Sequence, residues 1–165
     1  MYLSQKISLT NTLFFVLDNV QHRVVTPGRQ PIPLVKQSEK KCLNVKNITS
    51  VECFRKLSEI SNSYLIDVRT KPEWELIGVP DLSSLNKTTI FIAWNEYPEM
   101  NVNNKFIDQV AEVNIEKNDN IFLLCRSGRR SFYATMYLVS CGYKHSFNVS
   151  DGFEGDKNHL NHRSK

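Results

Sequence analysis

One segment combines a thiol with the features of an anion-binding loop. Cys125 directly follows the apolar run 121–124, and the next six residues read RSGRRS. A strand that passes through a tight loop into a helix turns several backbone N–H groups toward one point, and the helix N-terminus adds positive potential. Gly128 permits backbone angles that a side chain would resist. The pattern predicts a nucleophilic cysteine at position 125.

Only the thiolate form of a cysteine is a good nucleophile, and a free thiol is mostly protonated at neutral pH. Loop amides, the helix N-terminus and the neighbouring arginines all favour the anion, and no histidine base is required. Ser131 is predicted to cap the helix. The alternative interpretation is that Cys125 is a buried core thiol beside a solvated basic turn. The coincidence of strand, loop, glycine and cap favours the catalytic interpretation.

Apolar strands and amphipathic helices alternate after about residue 46. The predicted strands are residues 64–68, 88–94, 121–124 and 145–149. They are uniformly apolar, which indicates that both of their faces are covered. We therefore predict an α/β fold with three layers, a parallel central sheet of about four to five strands and helices on both faces. Ligands bind beyond the carboxyl ends of strands in such sheets, and Cys125 follows one of these ends.

Three helices are predicted between these strands from apolar spacing and cap signals. The first begins at an N-cap at Ser50 and packs through Val51, Phe54 and Leu57. The third extends from residue 131 to residue 142. The inward positions of the second helix are predicted to be Val102, Phe106, Val110 and Val113.

The net charge of +4 is concentrated near the N-terminus. Residues 1–46 contain seven Lys or Arg and two acidic residues, whereas the remaining chain has 14 basic and 15 acidic residues. We predict a flexible, basic, proline-containing extension (1–45), one domain (46–155) and a short tail (156–165). A basic extension can bind nucleic acid or acidic membrane. Aromatic residues do not interleave with its basic clusters, so we expect neither partner.

The cysteines and histidines predict no metal site and no disulfide framework. No cysteine pair has CxxC spacing, and the four histidines do not cluster with the cysteines. The cysteines are Cys42, Cys53, Cys125 and Cys141. No apolar run approaches the roughly 18 residues of a membrane span, and no secretory signal is recognisable. A cytoplasmic, reducing location is expected.

Three segments resemble the rhodanese superfamily. CRSGRRS (125–131) resembles the family's active-site loop C-R-x-G-x-R-S, YLIDVRTKPEW (64–74) resembles its D-V-R segment, and FNVSDGFEG (147–155) resembles the segment after its last strand. They occur in the family's order over about residues 46–155. GVPDLSSLNKTTIFIAWNEYPEM (78–100) is similar to a subgroup of single-domain bacterial rhodaneses.

The resemblance implies a thiosulfate sulfurtransferase-like enzyme that needs no metal or organic cofactor. Cys125 would take a sulfane sulfur from a small anionic donor and pass it, through a persulfide, to a thiol or cyanide acceptor. Arg126 and Arg130 would attract the donor, and Asp67 and Arg69 would brace the loop. The backbone amides that would surround the sulfur belong to Arg126, Ser127, Gly128, Arg129, Arg130 and Ser131. The oligomeric state is not predicted.

Two other functions remain open. The subgroup continues beyond GFEGD with a further segment, so the domain end is expected to be cut short, which favours a non-catalytic binding or regulatory module.

A cysteine phosphatase needs the spacing C-x5-R around a phosphate. Here the sixth residue after Cys125 is Ser131, so this alternative is disfavoured.

Overall fold

The computed structural model describes residues 44–155, which form seven strands and four helices. Residues 83–85 add one 3₁₀ turn. The elements in chain order are β1 (Lys46–Ile48), α1 (Ser50–Glu59), β2 (Ser63–Asp67), α2 (Lys71–Ile77), β3 (Ile90–Phe91), β4 (Asn95–Glu96), β5 (Asn101–Val102), α3 (Phe106–Glu112), β6 (Asn120–Leu124), α4 (Arg129–Ser140) and β7 (Ser146–Val149).

Five of these strands form a parallel sheet in the order β1-β7-β6-β2-β3, while β4 and β5 form a separate antiparallel pair. The predicted α/β fold with a parallel sheet of about four to five strands is confirmed. The register places Asp67 of β2 opposite Leu124 of β6. Because both strands end there, the residues that follow them lie side by side at the carboxyl edge of the sheet.

Alternate residues of β6 pack against opposite helical layers, as the two-residue period of a strand requires. Ile121 and Leu123 belong to a core shared with α3 and α4, and Cys125 continues this side. Phe122 and Leu124 belong to a second core shared with α1. Both faces of the sheet are therefore covered, which explains why the strand is uniformly apolar.

Helix α1 begins and packs differently from the prediction. Its N-cap is Thr49, whose side chain accepts a hydrogen bond from the backbone of Glu52 at 3.1 Å, so the predicted cap at Ser50 is wrong. Leu57 is 1% exposed as predicted, but Val51 is 79% exposed. Phe54 is also exposed, and Cys53 takes the inward position one turn before Leu57.

The second predicted helix is shorter than expected, and four elements were not predicted, namely β1, α2 and the short pair of β4 and β5. In α3 only Phe106 and Val110 are buried, since Val102 lies in β5 and Val113 is exposed. Strand β1 is a three-residue segment at the edge of the sheet, which is too short to show a periodic pattern. Helix α2 contains no fully buried residue. It therefore lacks the core-facing apolar stripe from which a helix is predicted in a sequence.

The predicted division of the chain at residues 45 and 155 stays a prediction. Residues 1–43, with Cys42, and residues 156–165 lie outside the described part, so the expected flexible extension and shortened domain end are not described. Within residues 44–155, no helix has the length and apolar character needed to cross a membrane.

Substituting Leu57 tests which face of α1 is buried. We expect Leu57→Ala to lower the free energy of unfolding by about 2–5 kcal/mol, because it leaves a cavity between α1 and the sheet. Val51→Ala should change it by no more than about 0.5 kcal/mol. Urea unfolding followed by circular dichroism measures both variants. Equal losses would instead support the predicted face with Val51 inward.

Candidate active site

Cys125 is the first residue after β6, and its side chain is 1% exposed. The hydroxyl of Ser131 donates a hydrogen bond to its Sγ over 3.2 Å. Ser131 is the third residue of α4 and is fully buried. The sequence prediction that Ser131 caps α4 is therefore wrong, because the helix begins two residues earlier and turns this hydroxyl toward the sulfur.

Gly128 is the N-cap of α4 and adopts a left-handed conformation with φ of +77°. Its carbonyl oxygen accepts the first helical hydrogen bond, from Phe132 at 3.1 Å. A Cβ atom at position 128 would overlap the backbone carbonyl of Ser150, which follows β7. Glycine is thus required both for the turn and for the close approach of the two segments.

The backbone N–H groups of the loop are available to an anion. Within the described part of the chain, none of the amides of residues 126–131 donates a hydrogen bond to a protein acceptor. The first amides of α4 also form the positive end of its dipole. This arrangement suits the predicted role of the loop amides as a cradle for an anionic sulfur, and that role stays a prediction.

Two of the three loop arginines are held by carboxylates. Arg126 Nε donates to Glu154 Oε1 at 2.6 Å, with the arginine side chain 59% exposed. Arg130 donates from both terminal nitrogens to the two oxygens of Glu73, at 2.7 and 2.6 Å, and is 15% exposed. Arg129 is exposed and forms no ion pair within residues 44–155. The predicted role of Arg126 and Arg130 in attracting a donor remains untested.

Glu73 was not predicted as a site residue. It lies in the first turn of α2, in a capping box where its Oε2 accepts from the backbone N and the hydroxyl of Thr70 at 2.9 and 2.8 Å. Partial burial opposes its ionisation, but the hydrogen bonds from Arg130 and Thr70 outweigh it and lower the pKa of Glu73 to about 2. The T-x-x-E spacing could have revealed this helix start.

Asp67 and Arg69 form a buried ion pair beside the loop. Arg69 Nη2 lies 2.7 Å from Asp67 Oδ2, and both side chains are fully buried. The guanidinium also lies 4.0 Å from the centre of the Phe153 ring, and the backbone N–H of Phe153 donates to the carbonyl of Cys125 at 2.8 Å. The pair thus reaches the loop through Phe153. Its predicted bracing role is untested.

The segment after β7 packs along the loop, and no role for its residues was predicted. Gly152 has a φ of +66°, and a Cβ atom there would lie 2.6 Å from the backbone of Arg126 and Ser127. The backbone N–H of Glu154 donates to the carbonyl of Arg126 at 3.2 Å. The turn signals D-G and E-G were visible in the sequence. The sequence did not show that these turns contact the loop after Cys125, because Arg126 and Glu154 are 28 residues apart in the chain.

The other described cysteines lie in different surroundings. Cys53 lines a cavity of about 530 Å³ between α1 and the segment after β7, and Cys125 is not among its lining residues. Burial, with Asp151 and Glu52 adding negative charge, raises the pKa of Cys53 to about 12. This thiol is therefore protonated and a poor nucleophile at neutral pH. Cys141 is half-buried at the end of α4.

The chain is similar to several known proteins over this domain. A family model described as the STR4 middle domain matches residues 44–163. An uncharacterised protein of Rickettsia conorii is 41% identical over 115 residues, which are 69% of this chain and 88% of that protein. A sulfurtransferase of Allochromatium vinosum is 28% identical, over 66% of this chain and 84% of that protein. Rhodanese-like domain-containing protein 17 of Arabidopsis thaliana is 29% identical, over 74% of this chain and 73% of that protein.

A solved structure shares the fold. The crystal structure of Rv0390 from M. tuberculosis matches with a TM-score of 0.64 and 34% sequence identity, and covers 72% of this chain and 87% of that chain.

Substituting Gly128 tests the contact between the loop and the segment after β7. Gly128→Ala adds a methyl group in a left-handed conformation and against Ser150. Gly142→Ala is the control, because Gly142 also has a positive φ (+96°) but its new Cβ would meet only the flexible side chain of Lys117, at an ordinary contact distance of 3.5 Å. We expect Gly128→Ala to lower the free energy of unfolding by about 1–3 kcal/mol more than the control. Equal losses in urea unfolding would contradict the close approach.

Proposed function

Because the chain belongs to the rhodanese superfamily, a family of sulfur-transfer proteins, we propose that it is a sulfurtransferase that carries sulfur as a persulfide on Cys125. The observation that carries the proposal is the position of Cys125 directly after β6, with its sulfur 3.2 Å from the hydroxyl of Ser131 in the first turn of α4. The loop amides that follow it have no protein acceptor within residues 44–155. An outer persulfide sulfur is anionic, and such a site favours an anion.

The proposed reaction has two displacement steps. The thiolate of Cys125 attacks the outer sulfur of a donor such as thiosulfate, so that a new S–S bond forms while the donor's S–S bond breaks and sulfite leaves with the electron pair. An acceptor thiolate or cyanide then attacks the outer sulfur of the persulfide. The Cys125 thiolate leaves, and the sulfane sulfur has moved without net oxidation. One covalent intermediate thus divides a transfer into two easier steps.

The partners in this proposal are small molecules or protein thiols. The positive end of α4 and the exposed Arg129 favour an anionic donor. Neither step requires a metal ion or an organic cofactor, and the proposal includes no nucleic acid or membrane partner. A reducing compartment such as the cytoplasm would keep Cys125 available as a thiol.

A non-catalytic binding module is the second candidate. One observation favours it, namely that the Cys125 side chain is 1% exposed, so a donor must reach the sulfur through a small opening or a loop movement. A phosphatase is less well supported, since Arg130 is five residues after Cys125 and its guanidinium is already bound by Glu73.

The proposal predicts a persulfide on one cysteine. After incubation with thiosulfate, mass spectrometry of the intact protein should show a gain of about 32 Da, the mass of one sulfur atom. The gain should be absent in Cys125→Ser and retained in Cys141→Ser, the matched control. A Cys125→Ser variant that still gains the mass would refute the assignment. A wild-type protein that gains none would favour the binding module.

A further inference from the structure

Helix α4 begins with two arginines, which is an unfavourable start for a helix. Arg129 and Arg130 occupy its first turn, and that turn contains no acidic residue. The exposed N–H groups of a helix N-terminus repel cations and favour carboxylates, so both arginines oppose the helix dipole. Arg129 is exposed to solvent, but Arg130 is mostly buried, which makes its charge more costly.

Glu73 supplies the carboxylate that the first turn of α4 lacks. Both of its oxygens accept hydrogen bonds from the guanidinium of Arg130. This bidentate geometry fixes the orientation of the guanidinium plane. Thr70 gives Oε2 two further hydrogen bonds. With four hydrogen bonds on one carboxylate, neither Glu73 nor the end of Arg130 can rotate without losing several of them.

The helix that carries Glu73 is itself fixed at both ends. Arg69 directly precedes its N-cap, Thr70, and Arg69 Nη2 donates to the carbonyl of Gly78, the C-cap of α2, at 2.8 Å. Arg69 is in turn held by Asp67 at the end of β2. The position of Glu73 is therefore linked to the sheet, although no residue of α2 is fully buried.

Arg130 directly precedes Ser131, whose hydroxyl lies 3.2 Å from the Cys125 sulfur, so Arg130 belongs to the helical turn that contacts this sulfur. Burial lowers the pKa of Arg130, but the hydrogen bonds and negative charge of Glu73 outweigh it, and Cys125 and Asp67 raise the pKa further. Both terminal nitrogens of Arg130 are already bound by Glu73, so they are not free to follow a diffusing donor. Arg130 is better suited to act as a fixed charge beside the sulfur than as a donor-binding group.

We propose that Glu73 is a positioning residue for sulfur transfer, which holds the Arg130 guanidinium where it stabilises the anionic sulfur on Cys125. This inference rests on the proposed function. Glu73 touches neither donor nor acceptor in this arrangement. Its effect is therefore on the rate at which sulfur is transferred and not on the affinity for the donor.

The test compares Glu73→Gln with Glu75→Gln. Both changes remove one carboxylate from α2, but Glu75 pairs with Lys71 at 3.7 Å on the exposed side of the helix. A glutamine can accept hydrogen bonds from Arg130 through one oxygen only. We expect Glu73→Gln to lower the kcat for sulfur transfer from thiosulfate to cyanide by about ten-fold or more. The KM for thiosulfate should change by less than about two-fold. Alkylation of Cys125 by iodoacetamide at pH 7 should slow in parallel, and Glu75→Gln should match the wild type in both.

A charge exchange separates positioning from mere stability. Glu73→Arg combined with Arg130→Glu can rebuild the ion pair but places a carboxylate beside the sulfur. We expect its melting temperature to recover relative to either single variant, while kcat and the alkylation of Cys125 remain low. Recovery of all three would show that the pair is only structural and would overturn the proposal. If the exchanged variant does not fold, Glu73→Gln decides alone.

The failures of the two proposals are distinguishable. A wild-type protein that forms no persulfide contradicts the proposed function, whatever Glu73 does. A wild-type protein that transfers sulfur, with Glu73→Gln unchanged in kcat or altered only in donor KM, contradicts the positioning role alone. Faster alkylation of Cys125 in Glu73→Gln also contradicts it, because Glu73 would then act only as a nearby negative charge.

Discussion

The passage from β6 to α4 within four residues is the constraint on which the site depends. A helix satisfies its amides internally and a strand satisfies them through neighbouring strands, but the loop between them and the first turn of the helix have neither partner. Here those amides, from residues 126–131, have no protein acceptor within the described part of the chain, and they directly follow Cys125, which is packed in the core beside the sheet. The sulfur anion that we propose at position 125 would give them a partner.

Three other parts of the fold contact this loop. The segment after β7 contacts it through Gly152 and two backbone hydrogen bonds, the pair of Asp67 and Arg69 reaches it through Phe153, and α2 reaches it through Glu73. The two carboxylates that bind loop arginines also offset a concentration of positive charge that would otherwise oppose α4. In the reaction that we propose, a loop with these contacts would not need to rearrange when charge develops on the sulfur.

The sequence was sufficient to predict the sheet, the strand that carries the cysteine and the loop that follows it, because uniform apolar runs and glycine positions are local signals. It was not sufficient for the helix caps. Ser50 binds the carboxylate of Asp151, which is 101 residues away, so its role depends on the tertiary structure. The link between Glu73 and Arg130 spans 57 residues and has no local signature beyond the capping box.

The most direct test of the central claim is the alkylation of the folded protein by iodoacetamide at pH 6, followed by mass spectrometry of the peptides that contain Cys125 and Cys141. Cys125 is 1% exposed and Cys141 is half-buried, so accessibility alone would make Cys141 react first. If the loop stabilises a sulfur anion, Cys125 reacts first in the folded protein and loses this advantage in urea. Preferential alkylation of Cys141 in the folded protein would contradict the account.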